Sequence, residues 1–123
     1  MPKQVLDVGN CVPDHASIKS MLEKNFGVTV LQTHGPEDTM QLLKETKVDL
    51  ILINRKLDRD YTDGMITLNQ IKSDAELANT PVMLITNFDD HQDAAEAAGA
   101  LRGFGKLSLG SPETKAMLEA VLS

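Results

Sequence analysis

Short apolar runs without a polar face alternate with stretches of helical period along the chain, and this alternation restricts the fold more than any other feature. The strand-like runs cover 4–9, 28–32, 49–53, 81–86 and, more weakly, 101–105. A strand with one wet face alternates apolar and polar residues. "LILI" at 50–53 does not, so both of its faces are expected under cover, as in a parallel sheet sandwiched between helices.

The intervening stretches supply the helices. "PDHASIKSMLEKNFG" sets Ile18, Met21, Leu22 and Phe26 on one stripe, with Asp14 as the expected N-cap and Gly27 as the stop. A second helix opens at "GPED", with Pro36 at its first position and Met40 and Leu43 turned inward. A third carries Met65, Leu68 and Ile71. An Ala-rich fourth covers about 90–98 and stops at Gly99, and a fifth opens at "SPET" ahead of Leu118, Val121 and Leu122. Such β–α units predict right-handed crossovers and a five-stranded parallel sheet with helices on both faces, as one domain over 1–123.

Composition narrows the function classes. The single cysteine, Cys11, excludes an internal disulfide and a multi-cysteine zinc site. A net charge of −6, with the twelve Lys and Arg scattered, argues against nucleic acid or anionic lipid as a partner. The longest aliphatic run, 50–53, is too short to span a bilayer, and no export signal opens the sequence, so a cytoplasmic location is expected.

In open parallel sheets, ligands and chemistry sit beyond the carboxyl ends of the strands. The residues there are Asn10 and Cys11, Asn54, Thr86, and Lys106. With "PDHASIKSML", "VDLILINRKLD…DG", "NTPVMLIT" and "GALRGFGK" in this order and spacing, the chain resembles the response-regulator receiver domain of two-component signalling over essentially its whole length. The resemblance implies an α/β, flavodoxin-like, doubly wound sheet in the order 2-1-3-4-5.

It also implies roles. In the family, an aspartate after the third strand takes a phosphoryl group from a phosphohistidine, two acids after the first strand hold Mg²⁺, and a Thr or Ser and a Lys contact the phosphoryl oxygens. By position Asn54 stands for the acceptor, Asn10 and Cys11 for the acid pair, Thr86 for the hydroxyl and Lys106 for the lysine. Only the last two match. The Asn54 amide lacks a carboxylate nucleophile, and an amide and a thiol are poor ligands for a hard cation. With Asn10, Cys11, Asn54 and Thr86 neutral, Lys106 leaves the set at +1, where the family's three acids and lysine give −2. Mg²⁺ binding is expected to be weak or absent, and no other cofactor is implied.

Further departures concern the switch. Leu107 replaces the Pro that usually follows the lysine, and Gly103 stands at the position of the switch aromatic. Phe104 is adjacent, but neighbouring strand residues face opposite sides. The loop from Asn54 to Gly64 is longer than the family's.

Each remaining polar residue has a plainer reading. Asp58, Asp60 and Asp63 crowd a loop that fits no EF-hand, so a solvated turn is expected, with Asp58 as the candidate surrogate acid. Asp7 interrupts a central strand about 10 Å below Asn10, which favours a hydrogen-bonded structural role and a raised pKa. His15, His34 and His91 have no metal-ligand spacing and are expected at surface or capping positions. Lys106 is placed to bond Asn54.

The sequence thus predicts a divergent receiver, not an enzyme, that works through protein–protein contact without accepting phosphate. Residues 90–122, the fourth helix to the fifth, are the expected partner face, and a homodimer is compatible with the chain. The alternatives are a phosphorelay receiver modified on Asp58 and a small-ligand or thiol sensor built around Cys11.

Overall fold

The computed structural model describes residues 3–122. Its strands β1 (Gln4–Val8), β2 (Thr29–Thr33), β3 (Leu50–Asn54) and β4 (Val82–Ile85) form a parallel sheet in the order β2-β1-β3-β4. Val5 stands between Val30 and Leu50, and Asn54 pairs with Ile85 at the carboxyl edge.

Helices α1 (Val12–Phe26), α2 (Pro36–Glu45), α3 (Gly64–Ser73), α4 (Asp89–Ala97) and α5 (Pro112–Leu122) cover both faces. Side chains alternate across a strand, so each strand feeds two cores. Leu6, Ile51, Ile53 and Leu84 pack with Leu43, Leu68 and Ala95 under α2, α3 and α4. Val5, Leu50, Leu52 and Ile85 pack with Ile18, Leu22 and Leu118 under α1 and α5. Leu50 to Ile53 are wholly buried, each worth about 1.5–3 kcal/mol. This double burial is why "LILI" shows no alternation.

The helix stops follow local chemistry. Gly27 closes α1 at φ 63°, its N–H donating to Glu23 O. At the start of α1 the expectation needs correction: Cys11 is the N-cap, and Asp14 lies in the first turn. Pro13 explains the shift, because its ring suits the opening turn of a helix, where no N–H is needed.

The fifth strand is also corrected. Residues 101–105 do not form one; Leu101 makes a single parallel bridge to Met83, its N–H donating to Val82 O at 2.8 Å. In that register Thr86 N would face Gly103 O, yet it donates to Phe104 O at 3.1 Å, so the segment holds one extra residue. Gly-Phe-Gly supplies little β-propensity to resist such a bulge. A short 3₁₀ turn, Lys106–Ser108, follows.

Candidate functional site

The carboxyl edge of the sheet brings Asn54, Thr86 and Lys106 around one cavity of about 340 Å³, with Lys56, Phe88 and His91 among its other walls. Among the described residues no carboxylate lines it. Asn54 ends β3 and donates its side-chain N–H to Gly9 O at 3.0 Å. Gly9 adopts φ 76°, and a Cβ there would collide with Leu57, so the turn after β1 requires glycine. Gly64 is equally constrained, since a Cβ would strike the Asn54 carbonyl.

Thr86 is buried behind the first turn of α4. Its hydroxyl lies 3.0 Å from His91 Nδ1 and accepts from Phe88 N–H at 3.3 Å. His91 also packs edge-on against Phe88. The sequence places His91 at a surface or capping position and does not connect it with Thr86. The available signal was its position five residues after Thr86, on the first turn of the next helix.

Lys106 does not bond Asn54 as expected. Its ammonium donates to Asp14 Oδ2 at 2.8 Å, and the Cys11 thiol donates to the same oxygen at 3.2 Å. The Lys106 bond, assisted by Cys11 and opposed by burial, holds the Asp14 carboxyl below the usual range. The charge count at the strand tips therefore also changes: Asp14, unnoticed as a site residue, offsets the lone lysine.

Asn10 is not directed at the cavity. It is fully buried, its amide nitrogen donates to Asp7 Oδ1, and its own Oδ1 has no partner among the described residues. The second Asp7 oxygen lies 2.7 Å from His15 Nδ1 on α1. Burial pushes the Asp7 carboxyl up, against the lowering effect of the His15 and Asn10 bonds. The expected structural role of Asp7 is thus met by named partners, one of them a histidine expected only at the surface or in a cap.

Removing one of those partners leaves a buried acceptor exposed to an apolar interior. His15→Ala should cost about 2–3 kcal/mol at neutral pH, the penalty for a buried polar group left unpaired. A carboxyl whose folded pKa lies above its unfolded value of 3.8 contributes stability below that value and loses it as pH rises through the folded pKa. With His15 gone the folded pKa rises further, so the deficit should shrink on acidification toward 3.8. Asp14 acts oppositely and only below 3.8, where its contribution is lost as pH falls through its depressed value. Urea midpoints against pH test this; a pH-independent loss would contradict it.

The loop acids serve the fold. Asp63 caps α3 through Met65 N–H at 2.9 Å and pairs with Arg55 at 2.8 Å, while Asp60 accepts from Thr62. Asp58 stands 3.4 Å from His34 Nδ1 and does not line the cavity of Asn54. Gly103 has no room for an aromatic side chain, since a Cβ there would meet the Leu84 carbonyl, and Phe104 is buried in the core under α1 and α5.

Comparisons with known proteins agree with this architecture. A putative response regulator from Chloroflexus aurantiacus matches with a TM-score of 0.87 at 16% identity, over 99% of this chain and 98% of that one. The receiver domain of a DNA-binding response regulator from Colwellia psychrerythraea matches with a TM-score of 0.81 at 23% identity, over 96% of each chain. A response regulator from Thermotoga maritima matches with a TM-score of 0.79 at 18% identity, over 99% of this chain and 98% of the other. No curated protein matches. The family model described as the response regulator receiver domain matches residues 13–104, and with the sheet order and the strand-tip geometry it establishes that this chain belongs to the response-regulator receiver domain family.

Proposed function

We propose that this chain is a divergent receiver that passes its signal by protein–protein contact and does not accept a phosphoryl group. The observation that carries the reading is Asn54, an amide in the acceptor position whose nitrogen is committed to Gly9 O. An amide nitrogen delocalised into its carbonyl has neither the charge nor the lone pair to displace a phosphoryl leaving group.

The donor set supports the same reading. Mg²⁺ takes oxygen ligands, usually including a carboxylate. Here Asn10 is turned into a buried bond with Asp7, Cys11 offers sulfur, and Asp14, the carboxylate bonded to that sulfur, is neutralised by Lys106. These residues do not fit the ion. In this reading the protein is not an enzyme and works in the cytoplasm; among the described residues no helix is long and apolar enough to cross a membrane.

The contact face in this reading lies within 90–122 and its margin. Phe88, Leu101 and Leu107, in or next to this stretch, expose 62%, 45% and 89% of their surface. A signalling protein, or a second copy of the chain, is the partner class.

Amide NMR during addition of Mg²⁺ and then acetyl phosphate, with intact mass on the final sample, tests the reading. The expected result is no mass gain and no shift at Asn54, Thr86 or Lys106. A phosphoryl adduct would overturn it; an adduct abolished by Asp58→Ala would assign the surrogate acid.

A further inference from the structure

The cavity at the carboxyl edge of the sheet differs in charge from the rest of the surface. Among the described residues, four other cavities, of about 330, 350, 540 and 690 Å³, are each lined by at least two carboxylates, and the cavity of Asn54 by none. This is unexpected in a chain with 18 Asp and Glu against 12 Lys and Arg. The walls carry Arg55, Lys56 and Lys106 instead.

Two of these cations are already matched. Arg55 pairs with Asp63 at 2.8 Å, and Lys106 with Asp14 at 2.8 Å. Lys56 is exposed, and among the described residues no carboxylate meets it. The uncompensated charge is therefore one, which suits a monoanion. A phosphate dianion would keep a charge unmatched in a partly closed site.

Charge alone does not hold such a ligand, because an exposed ion pair is worth little. The remaining affinity has to come from apolar contact, and Ile85 and the 62% exposed Phe88 ring supply it. Direction comes from His91. In the tautomer that takes the Thr86 proton at Nδ1, Nε2 carries the ring's hydrogen and is a donor. A space of about 340 Å³ lies at the small end of ligand cavities, roughly 300–1,000 Å³, and admits a chain of a few carbons.

We propose that this cavity binds a carboxylate borne on a short apolar body, with Lys56 as its counter-ion, the His91 ring as its donor, and Ile85 and Phe88 as its apolar seat. The same chemistry has two sources, a free organic acid and an acidic side chain of a protein partner. Only the second source rests on the contact-face reading above.

Amide and side-chain NMR titrations at constant ionic strength test the site. Sodium butyrate should shift Asn54, Thr86, Phe88 and His91, and acetate, shorter by two methylenes, should bind about tenfold more weakly. Lys56→Met should weaken butyrate about threefold to fivefold, and Lys56→Arg should retain it. Butyramide binding as well as butyrate would overturn the proposal, as would inorganic phosphate binding more tightly than butyrate, or shifts confined to other surfaces. Acetyl-Leu-Glu-Leu-amide separates the sources. Tighter binding than both butyrate and its Gln counterpart would assign the site to a partner's side chain; otherwise butyrate binding assigns it to a free acid. Phosphate acceptance is read separately by mass, so failure of this site and failure of the phosphate-independent reading are distinguishable.

Discussion

Asn10→Asp should destabilise this protein by about 3–5 kcal/mol at neutral pH, the range for a buried charge deprived of compensation, and Asp7→Asn in the same chain should return most of the loss. Asn10 is wholly buried and donates to an Asp7 oxygen that has no exposure. A carboxylate at position 10 replaces that donor with a second anionic acceptor, so two like charges share one closed space and one of them must hold a proton. Asp7→Asn restores a donor facing an acceptor, with the roles exchanged.

Equilibrium unfolding of the four chains gives the coupling. Residues in direct contact couple by about 0.5–3 kcal/mol, and a buried charge pair belongs at the top of that range. Additive losses would show that the two side chains separate when charged, and would sink the account. The result also bears on function: the acid that the family carries at this position cannot be restored by one substitution, because Asp7 already occupies the space its charge would need.

Gly103→Tyr, which returns an aromatic residue to the switch position, should cost about 3 kcal/mol or more, the upper range for overpacking a filled interior. A Cβ at 103 would collide with the Leu84 carbonyl and lie 3.1 Å from Met83 Cβ. A flexible neighbour can rotate away from such a contact, but a strand carbonyl cannot. The segment would have to retreat from β4, losing its bond to the buried Gln92 amide.

Leu101→Tyr is the control. Leu101 is 45% exposed, so the same ring two residues earlier should change stability by no more than about 0.5 kcal/mol. Thermal unfolding of both variants decides the matter. A Gly103→Tyr chain as stable as the original would mean that 101–105 moves freely off the sheet, and that the missing aromatic has no steric cause.

Much of the architecture was legible because it is written in period. "LILI" reads as a doubly covered strand, and Ile18, Leu22, Leu68 and Leu118 read as helix faces. Asn54, Thr86 and Lys106 were also legible as neighbours, since strand ends converge on one edge of a parallel sheet. The fifth strand misled for a physical reason. Its apolar content suits burial, and Phe104 is indeed buried, but two glycines and an intruding amide leave too little ladder to count as a strand.

The layered α/β fold and the lack of a carboxylate at the acceptor position both follow from local pattern and residue chemistry. The pairing of polar groups does not, and it emerges only in the folded chain. Lys106 chose Asp14, 92 residues away, over Asn54; Asp7 took Asn10 and His15; and Gln92 entered the sheet edge. Periodicity fixes which face a residue occupies, but a buried donor takes the acceptor that packing brings within reach, and that choice exists only after the chain has folded.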